Sequence, residues 1–284
     1  MNSIIIVPIY KPLPGDFEHI SFDQCIKILS KHTICIVSFY ELDISYYVNR
    51  LSEKSIDFKV ELFNENYFKD VTGYNKLMLS IDFYKRFLKY EYMLIYQLDA
   101  FVFRDELDYW CDKGYDYIGA PLIEDKYGLD NSFIISNANN GGFSLRKISY
   151  CIKFLNYKGP LLRPGTIFKI IKKANNNYIK LIISIVLRSC GFHNNVKYFV
   201  NKTYINEDLL FCLSFSVSIS WVNVLLKKYD TWIKPKLASA DVSMDFAFER
   251  FPSYLFSKTN KIPFGCHAWE KYEYETFWKN YIHS

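Results

Sequence analysis

Residues 92–103, Tyr-Met-Leu-Ile-Tyr-Gln-Leu-Asp-Ala-Phe-Val-Phe, constrain this chain most. The run is aromatic and aliphatic with no turn residue before its end, the pattern of a strand buried on both faces. Its first part, Tyr92 to Leu98, reads as the strand and ends on a carboxylate, Asp99. A buried charge is costly unless something pairs with it. In open α/β sheets, ligands bind beyond the carboxyl ends of the strands. The run therefore points both to the interior of a sheet and to a site at the sheet's edge.

The segments before it alternate in the way such a sheet requires. Residues 3–9 read as a buried strand, 21–31 as a helix with Ser21 as N-cap, and 33–39 as a second strand. A helix near 43–53, a strand near 57–63, a helix over 74–89 and the strand over 92–98 follow. This order predicts an α/β fold: a Rossmann-type, mainly parallel sheet with helices on both faces. The 284 residues, half of them apolar, suit one large domain over 1–284. The second half is less regular. A helix near 104–111 precedes a short strand at 115–118. Asn139-Asn140-Gly141-Gly142 reads as a turn running into a strand. Residues 156–203 change character, to Lys- and Asn-rich sequence, and read as an insertion. Helix resumes near 207–215, and the tail from 245 shows few clear periods.

Several function classes are disfavoured. A net charge of +5 is too small an excess for a nucleic-acid protein. Seven cysteines without a CxxC pair suit a reducing cytoplasm. The first apolar run stops at Pro8 with no basic region before it, unlike a signal peptide. No apolar run nears the roughly 20 residues that span a bilayer. No GxGxxG follows the first strand, and there is no phosphate loop or GxSxG elbow.

What remains is a set of polar residues at strand ends and turns, each with two readings. Asp99 is a ligand-facing carboxylate or the cap of a following helix. Asn140-Gly141 is a close backbone approach to a ligand or a hairpin turn. Glu207-Asp208 supplies acid–base chemistry or complements a helix dipole. His267 is a ligand or a hydrogen-bonded structural residue, and Trp269 a sugar platform or core. Residues 169–188 place Lys169, Lys172, Lys173, Lys180 and Arg188 among nine aliphatic residues. That stretch reads as a helix packed on the core or as a peripheral contact with an anionic membrane.

The blocks Val7-Pro8-Ile9-Tyr10-Lys11-Pro12, Gly73-Tyr74-Asn75-Lys76-Leu77-Met78, Tyr96-Gln97-Leu98-Asp99-Ala100-Phe101-Val102-Phe103, Asp116-Tyr117-Ile118-Gly119-Ala120-Pro121, Asn140-Gly141-Gly142-Phe143-Ser144-Leu145-Arg146, Asn206-Glu207-Asp208 and Pro263-Phe264-Gly265-Cys266-His267-Ala268-Trp269-Glu270 together resemble one family. It is a bacterial family long catalogued as a domain of unknown function. It is regarded as glycosyltransferase-like and similar to the glycosyltransferase-A fold. The resemblance covers nearly the whole chain outside 156–203.

The resemblance implies a glycosyltransferase that moves a sugar from a nucleotide sugar, UDP-linked in most enzymes of this fold, to a saccharide acceptor. It implies an inverting reaction in the cytoplasm, in the synthesis of a surface polysaccharide such as O-antigen or capsule. The acceptor would suit a polyprenyl-linked sugar at the membrane's inner face. Pro8, Tyr10, Asn75, Asp99 and Ala100 would bind the donor. Asn140, Gly141, Gly142 and Trp269 would bind the acceptor. Asp208, rather than Glu207, would be the base. Such enzymes hold Mn²⁺ or Mg²⁺ on an Asp-x-Asp motif. Here the motif reads Asp99-Ala100-Phe101, with a single acid, and His267 would be the second ligand. The alternatives are a metal-free site, a sugar-nucleotide nucleotidyltransferase, or a non-catalytic sugar-binding protein.

Overall fold

In a computed structural model, the structure describes residues 2–125, 133–165, 167–168, 178–201, 206–212, 218–219, 224–225 and 233–282. The strands are β1 (Ser3–Pro8), β2 (Ile34–Phe39), β3 (Phe58–Phe63), β4 (Tyr92–Tyr96), β5 (Ala100–Val102), β6 (Tyr117–Asp125), β7 (Phe133–Lys147), β8 (Ser218–Ile219), β9 (Val224–Leu225), β10 (Ala247–Phe248) and β11 (Gly265–His267). The helices used below are α1 (Asp16–Ile28), α2 (Ser45–Glu53), α3 (Val71–Met78), α4 (Ile81–Lys85), α5 (Leu107–Asp112), α6 (Ile148–Leu155), α7 (Tyr178–Ser189), α8 (Val196–Val200), α9 (Glu207–Phe211), α10 (Ala240–Phe246) and α11 (Pro252–Thr259).

Six strands form one sheet in the order β3-β2-β1-β4-β7-β6. The first four are parallel, as the alternation predicts. β7 and β6 add antiparallel to the far side. Side chains alternate between faces along a strand. Accordingly Ile4 and Ile6 of β1 join one core, and Ile5 and Val7 the other. The first core also holds residues of α3, α4, α6 and α9. The second holds Phe22, Cys25 and Ile26 of α1 with Tyr47 and Leu51 of α2. Every residue of β1 and β4 is buried, which is why these strands read as continuous apolar runs.

Chain order reverses between β1 and β4. β1 leads outward to β2 and β3, and β4 lies on its other side. A crevice opens at such a switch point, beyond the carboxyl ends of the two strands. Beyond β4 the chain turns sharply, with Ala100 N–H donating to Gln97 O at 2.9 Å. It then enters a second, three-stranded sheet, β10-β11-β5. In that sheet His267 pairs with Ala100 and Cys266 with Phe101.

Local expectations fail where a side chain found a tertiary partner. Ser21 caps nothing. Helix α1 begins at Asp16, where Gly15 N–H donates to Glu18 Oε2 at 2.7 Å. Ser21 lies buried within α1 and its hydroxyl donates to Ala100 O at 2.5 Å. The single helix expected over 74–89 is two helices. Asp70 caps the first by accepting from Gly73 N–H at 2.7 Å, which starts it three residues early. At its end Tyr84 OH donates to Met78 O at 2.9 Å, satisfying a carbonyl that a continuous helix would have used. Asn139 to Gly142 do not form a hairpin turn; they lie inside β7, opposite a register irregularity in β6. The tail from 245 supplies β10, α11 and β11, and with them one wall of the site.

Candidate functional site

A cleft of about 630 Å³ lies at the switch point. Its floor is the turn after β4, Gln97 to Asp99, beside Asn140, Gly141 and Gly142 of β7. One wall comes from Pro8, Tyr10 and Glu18, and another from Tyr67 through Asn75. Asn206 to Asp208 and the His267–Lys271 region close it. The volume suits a ligand of nucleotide-sugar size.

Asp99 is the electrostatic centre. Its Oδ1 lies 3.1 Å from His267 Nε2, and Lys271 Nζ reaches its Oδ2 at 2.8 Å. Burial would raise this carboxyl. The two cationic neighbours outweigh burial and hold it well below the usual carboxylate range. Burial would also discharge His267. Asp99 and Glu249 reverse that, and with no ion present the imidazole is pushed up to about 10. Glu249 Oε1 accepts at His267 Nδ1, 3.3 Å away, and from Asn140 Nδ2 at 3.1 Å.

Gln97 Oε1 also lies 3.1 Å from His267 Nε2. His267 Nε2 thus has two oxygens, from Gln97 and Asp99, at one spacing. Ligands about 2.1 Å from one hard cation, at right angles, lie roughly 3 Å apart. An amide oxygen, a carboxylate and an imidazole form a set that Mn²⁺ or Mg²⁺ accepts. Among the described residues no three His, Cys, Asp or Glu side chains are placed to hold one metal ion together; the third donor here is an amide. Glu249 behind Nδ1 is the kind of partner that orients a metal-bound histidine. Glu270 Oε2, also in the cleft wall, is buried with no hydrogen-bond partner among the described residues. That orphaned oxygen adds unmet demand for a cation or a ligand hydroxyl. The residues fit a divalent ion.

Across the cleft, Asn206 to Asp208 open α9. Asn75 holds this end of the helix: its Nδ2 donates to Asn206 Oδ1 at 3.2 Å, and its Oδ1 accepts from Glu207 N–H at 3.5 Å. Glu207 and Asp208 differ sharply. Glu207 Oε1 accepts from Arg146 Nη2 at 2.7 Å, and Arg146 is fully buried. Arg146 also donates to Gly141 O at 3.2 Å and to Ser144 Oγ at 3.0 Å. Asp208 accepts from Leu209 N–H at 2.6 Å, and no cation pairs with it among the described residues. Burial and the neighbouring Glu207 charge push its carboxyl well above the usual range.

The glycines have a reason that the sequence did not show. A Cβ on Gly142 would overlap the His267 ring, and one on Gly141 would strike Glu207 Oε1. Both positions are bare so that side chains from the opposite walls can seat against β7.

The structure thus gathers Pro8, Tyr10, Asn75, Asp99, Asn140, Gly141, Gly142, Glu207, Asp208 and His267 around one cleft. Two expected residues are elsewhere. Ala100 is fully buried in β5, pinned beneath α1 by the Ser21 bond, and does not line the cleft. The residues that line the cleft after β4 are Gln97, Leu98 and Asp99, not Ala100 and Phe101. Trp269 is not a sugar platform. It is fully buried against Phe101, Phe17 and Tyr274. Gln97, Arg146, Glu249 and Lys271 were missed as site residues. Gln97 and Arg146 stand within the blocks that carry the family resemblance; Glu249 and Lys271 have no signal within their own segments.

A family model described as "Protein of unknown function (DUF5672)" matches residues 57–267, well over half of the chain. No curated protein sequence matches it. Among solved structures, the chain is similar to core-mannan synthase A from Aspergillus fumigatus in its Mn/GDP form, at 9% identity and TM-score 0.40. That match covers 55% of this chain and 63% of the synthase, so the chain spans less than two thirds of that protein. It is also similar to a glycosyltransferase involved in the glycosylation of the major capsid of PBCV-1, at 10% identity and TM-score 0.37, over 94% of this chain and 93% of that one. S. aureus TarS 1-349 matches at 12% identity and TM-score 0.35, over 53% of this chain and 48% of that one. At these TM-scores the likeness decides neither fold class nor activity.

Proposed function

The chain belongs to the DUF5672 family of proteins of unknown function, and from that premise we propose that it is a glycosyltransferase using a nucleoside diphosphate sugar. One observation carries the reading. A strand-end carboxylate flanked by cations, Asp99, and a buried carboxyl that no cation pairs among the described residues, Asp208, line the same cleft at the sheet's switch point.

The two ends divide the work. The donor diphosphate lies over the ends of β1 and β4, near Tyr10 and Asp99. Lys271 supplies positive charge there, and Gln97, Asp99 and His267 would hold a divalent ion. Such an ion, when bound, supplies charge stabilisation for the leaving diphosphate. Glu249 fixes the His267 ring. The acceptor hydroxyl lies at Asp208. Its oxygen attacks the anomeric carbon and its proton passes to Asp208. The bond from that carbon to the phosphate oxygen breaks, and its electron pair leaves with the nucleoside diphosphate. Attack opposite the leaving group inverts the anomeric centre. Asp208 suits the base because its raised pKa moves it toward the working pH. Glu207 does not, since Arg146 occupies it.

Thermal shift against UDP- and GDP-sugars, with and without Mn²⁺, tests the reading, followed by mass spectrometry for released nucleoside diphosphate. Stabilisation by a nucleotide sugar together with its turnover supports it. No shift with any donor overturns it. Pyrophosphate formation from a sugar phosphate and a nucleoside triphosphate would move the protein to the nucleotidyltransferases.

A further inference from the structure

A second feature of the chain is a segregation of charge along the sequence. Beyond the buried Arg146 and the Glu91-paired Lys147, ten Lys and Arg lie between Ile148 and Ile205, and no Asp or Glu does. All 30 acidic residues lie outside that stretch, against 25 of the 35 basic ones. Within the stretch, α7 leaves a row of large aliphatic side chains in solvent. Ile182 is 60% exposed, Ile183 54%, Val186 56% and Leu187 47%. At 100° per residue these four fall within an arc of about 140°. Phe192, in the turn that follows, adds to them at 60%. Ile185, on another side of the helix, packs against the core, so α7 has an inner and an outer apolar face. Clustered exposed aliphatics mark an interaction site.

We infer that this ridge docks the protein on an anionic lipid bilayer. Helix α7 would lie in the interface with its outer face in the acyl boundary, and the basic excess of the stretch around it would favour an anionic surface. Twelve residues of helix extend about 18 Å, short of the roughly 30 Å hydrocarbon core. Among the described residues no helix is long and apolar enough to cross a membrane, so the contact is peripheral. A second copy fits less well. A two-fold contact through this face would set one acid-free basic stretch against another. The inference does not depend on the reading of the cleft.

The test is co-sedimentation of the full chain with vesicles of phosphatidylcholine alone or with about one third phosphatidylserine, at about 0.1 M and about 1 M salt. Binding to the anionic vesicles that falls by about tenfold or more at high salt is the expected result. The double variant Ile183→Glu, Leu187→Glu should lose binding by a similar factor and keep its melting temperature. Phe192→Ser, outside the helix, should weaken binding independently if the double variant does not fold. No binding to anionic vesicles overturns the inference, as does binding unchanged in these variants. Concentration-dependent dimerisation without vesicle binding would assign the ridge to a second copy instead.

Discussion

Glu249 Oε1 lies 3.3 Å from His267 Nδ1, at the ring nitrogen opposite the one that meets Asp99 at 3.1 Å. The two carboxylates come from distant parts of the chain and hold one imidazole between them. Asp99 follows β4 and Glu249 follows β10, while His267 ends β11. Pairing of β11 with both β5 and β10 produces this arrangement. A ring held this way presents Nε2 to the cleft in one orientation.

Glu249→Gln should therefore impair the site while sparing the fold. Outer partners of this kind are worth roughly 10- to 100-fold in metal affinity or activity. We expect Mn²⁺ affinity, read by electron paramagnetic resonance titration, to fall by about that factor. The melting temperature should change little. Unchanged Mn²⁺ affinity would remove Glu249 from the site.

Gly142→Ala tests the seating of the same ring from the other side. The added methyl would overlap His267, which cannot retreat without losing Asp99 or Glu249. Overpacking of this kind costs about 1–3 kcal/mol. A drop in thermal stability of that size, with loss of turnover, is expected. A fully active and stable Gly142→Ala protein would show that β7 has slack here.

Much of this was legible in the sequence, and the limits have a physical pattern. The strands β1, β2 and β4 could be read because burial on both faces leaves a continuous apolar run, as at Ile4 to Val7. Asp99 could be read because a charge at the tip of such a run is costly. Features set by long-range pairing could not. Nothing near Gly265 to His267 announces that it pairs with Ala100 to Val102, so in the sequence Ala100 reads as a motif residue and Gln97 does not. Trp269 and the paired glycines are ambiguous for the same reason. A tryptophan on a surface and one in a core have the same sequence, and a glycine bare for a ligand resembles one bare for a histidine. Residues 169–177 and 213–217, on which part of the amphipathic segment and of the helix near 207–215 fall, lie outside the described residues.

The acidic pair at the start of α9 separates by a different experiment. Glu207→Gln leaves the fully buried Arg146 without its carboxylate. Breaking a buried pair from one side costs about 3–5 kcal/mol. Glu207→Gln should therefore show a large loss of stability in chemical denaturation. If it is as stable as the parent, the pair does not hold this wall together.

Asp208→Asn should behave in the opposite way. Burial and the Glu207 charge raise the Asp208 pKa above its unfolded value of about 3.9. A group with a raised folded-state pKa contributes stability that is fully present below the unfolded pKa and lost as pH rises through the folded one. Ionised Asp208 is thus a cost to the fold at neutral and alkaline pH, and asparagine removes it. The melting temperature of the variant relative to the parent should rise with pH across that window. If the pair served only to support the helix dipole, removing the charge would instead cost roughly 0.3–1 kcal/mol at neutral pH and leave turnover near normal. As the base, Asp208 is active only when ionised. The acid limb of the parent's pH–rate profile should accordingly lie above the ordinary carboxylate range, and turnover of Asp208→Asn should fall by about 10²–10⁴-fold. Donor binding should persist, because Asp99 and Lys271 are untouched. Normal turnover in Asp208→Asn would remove the base from this position.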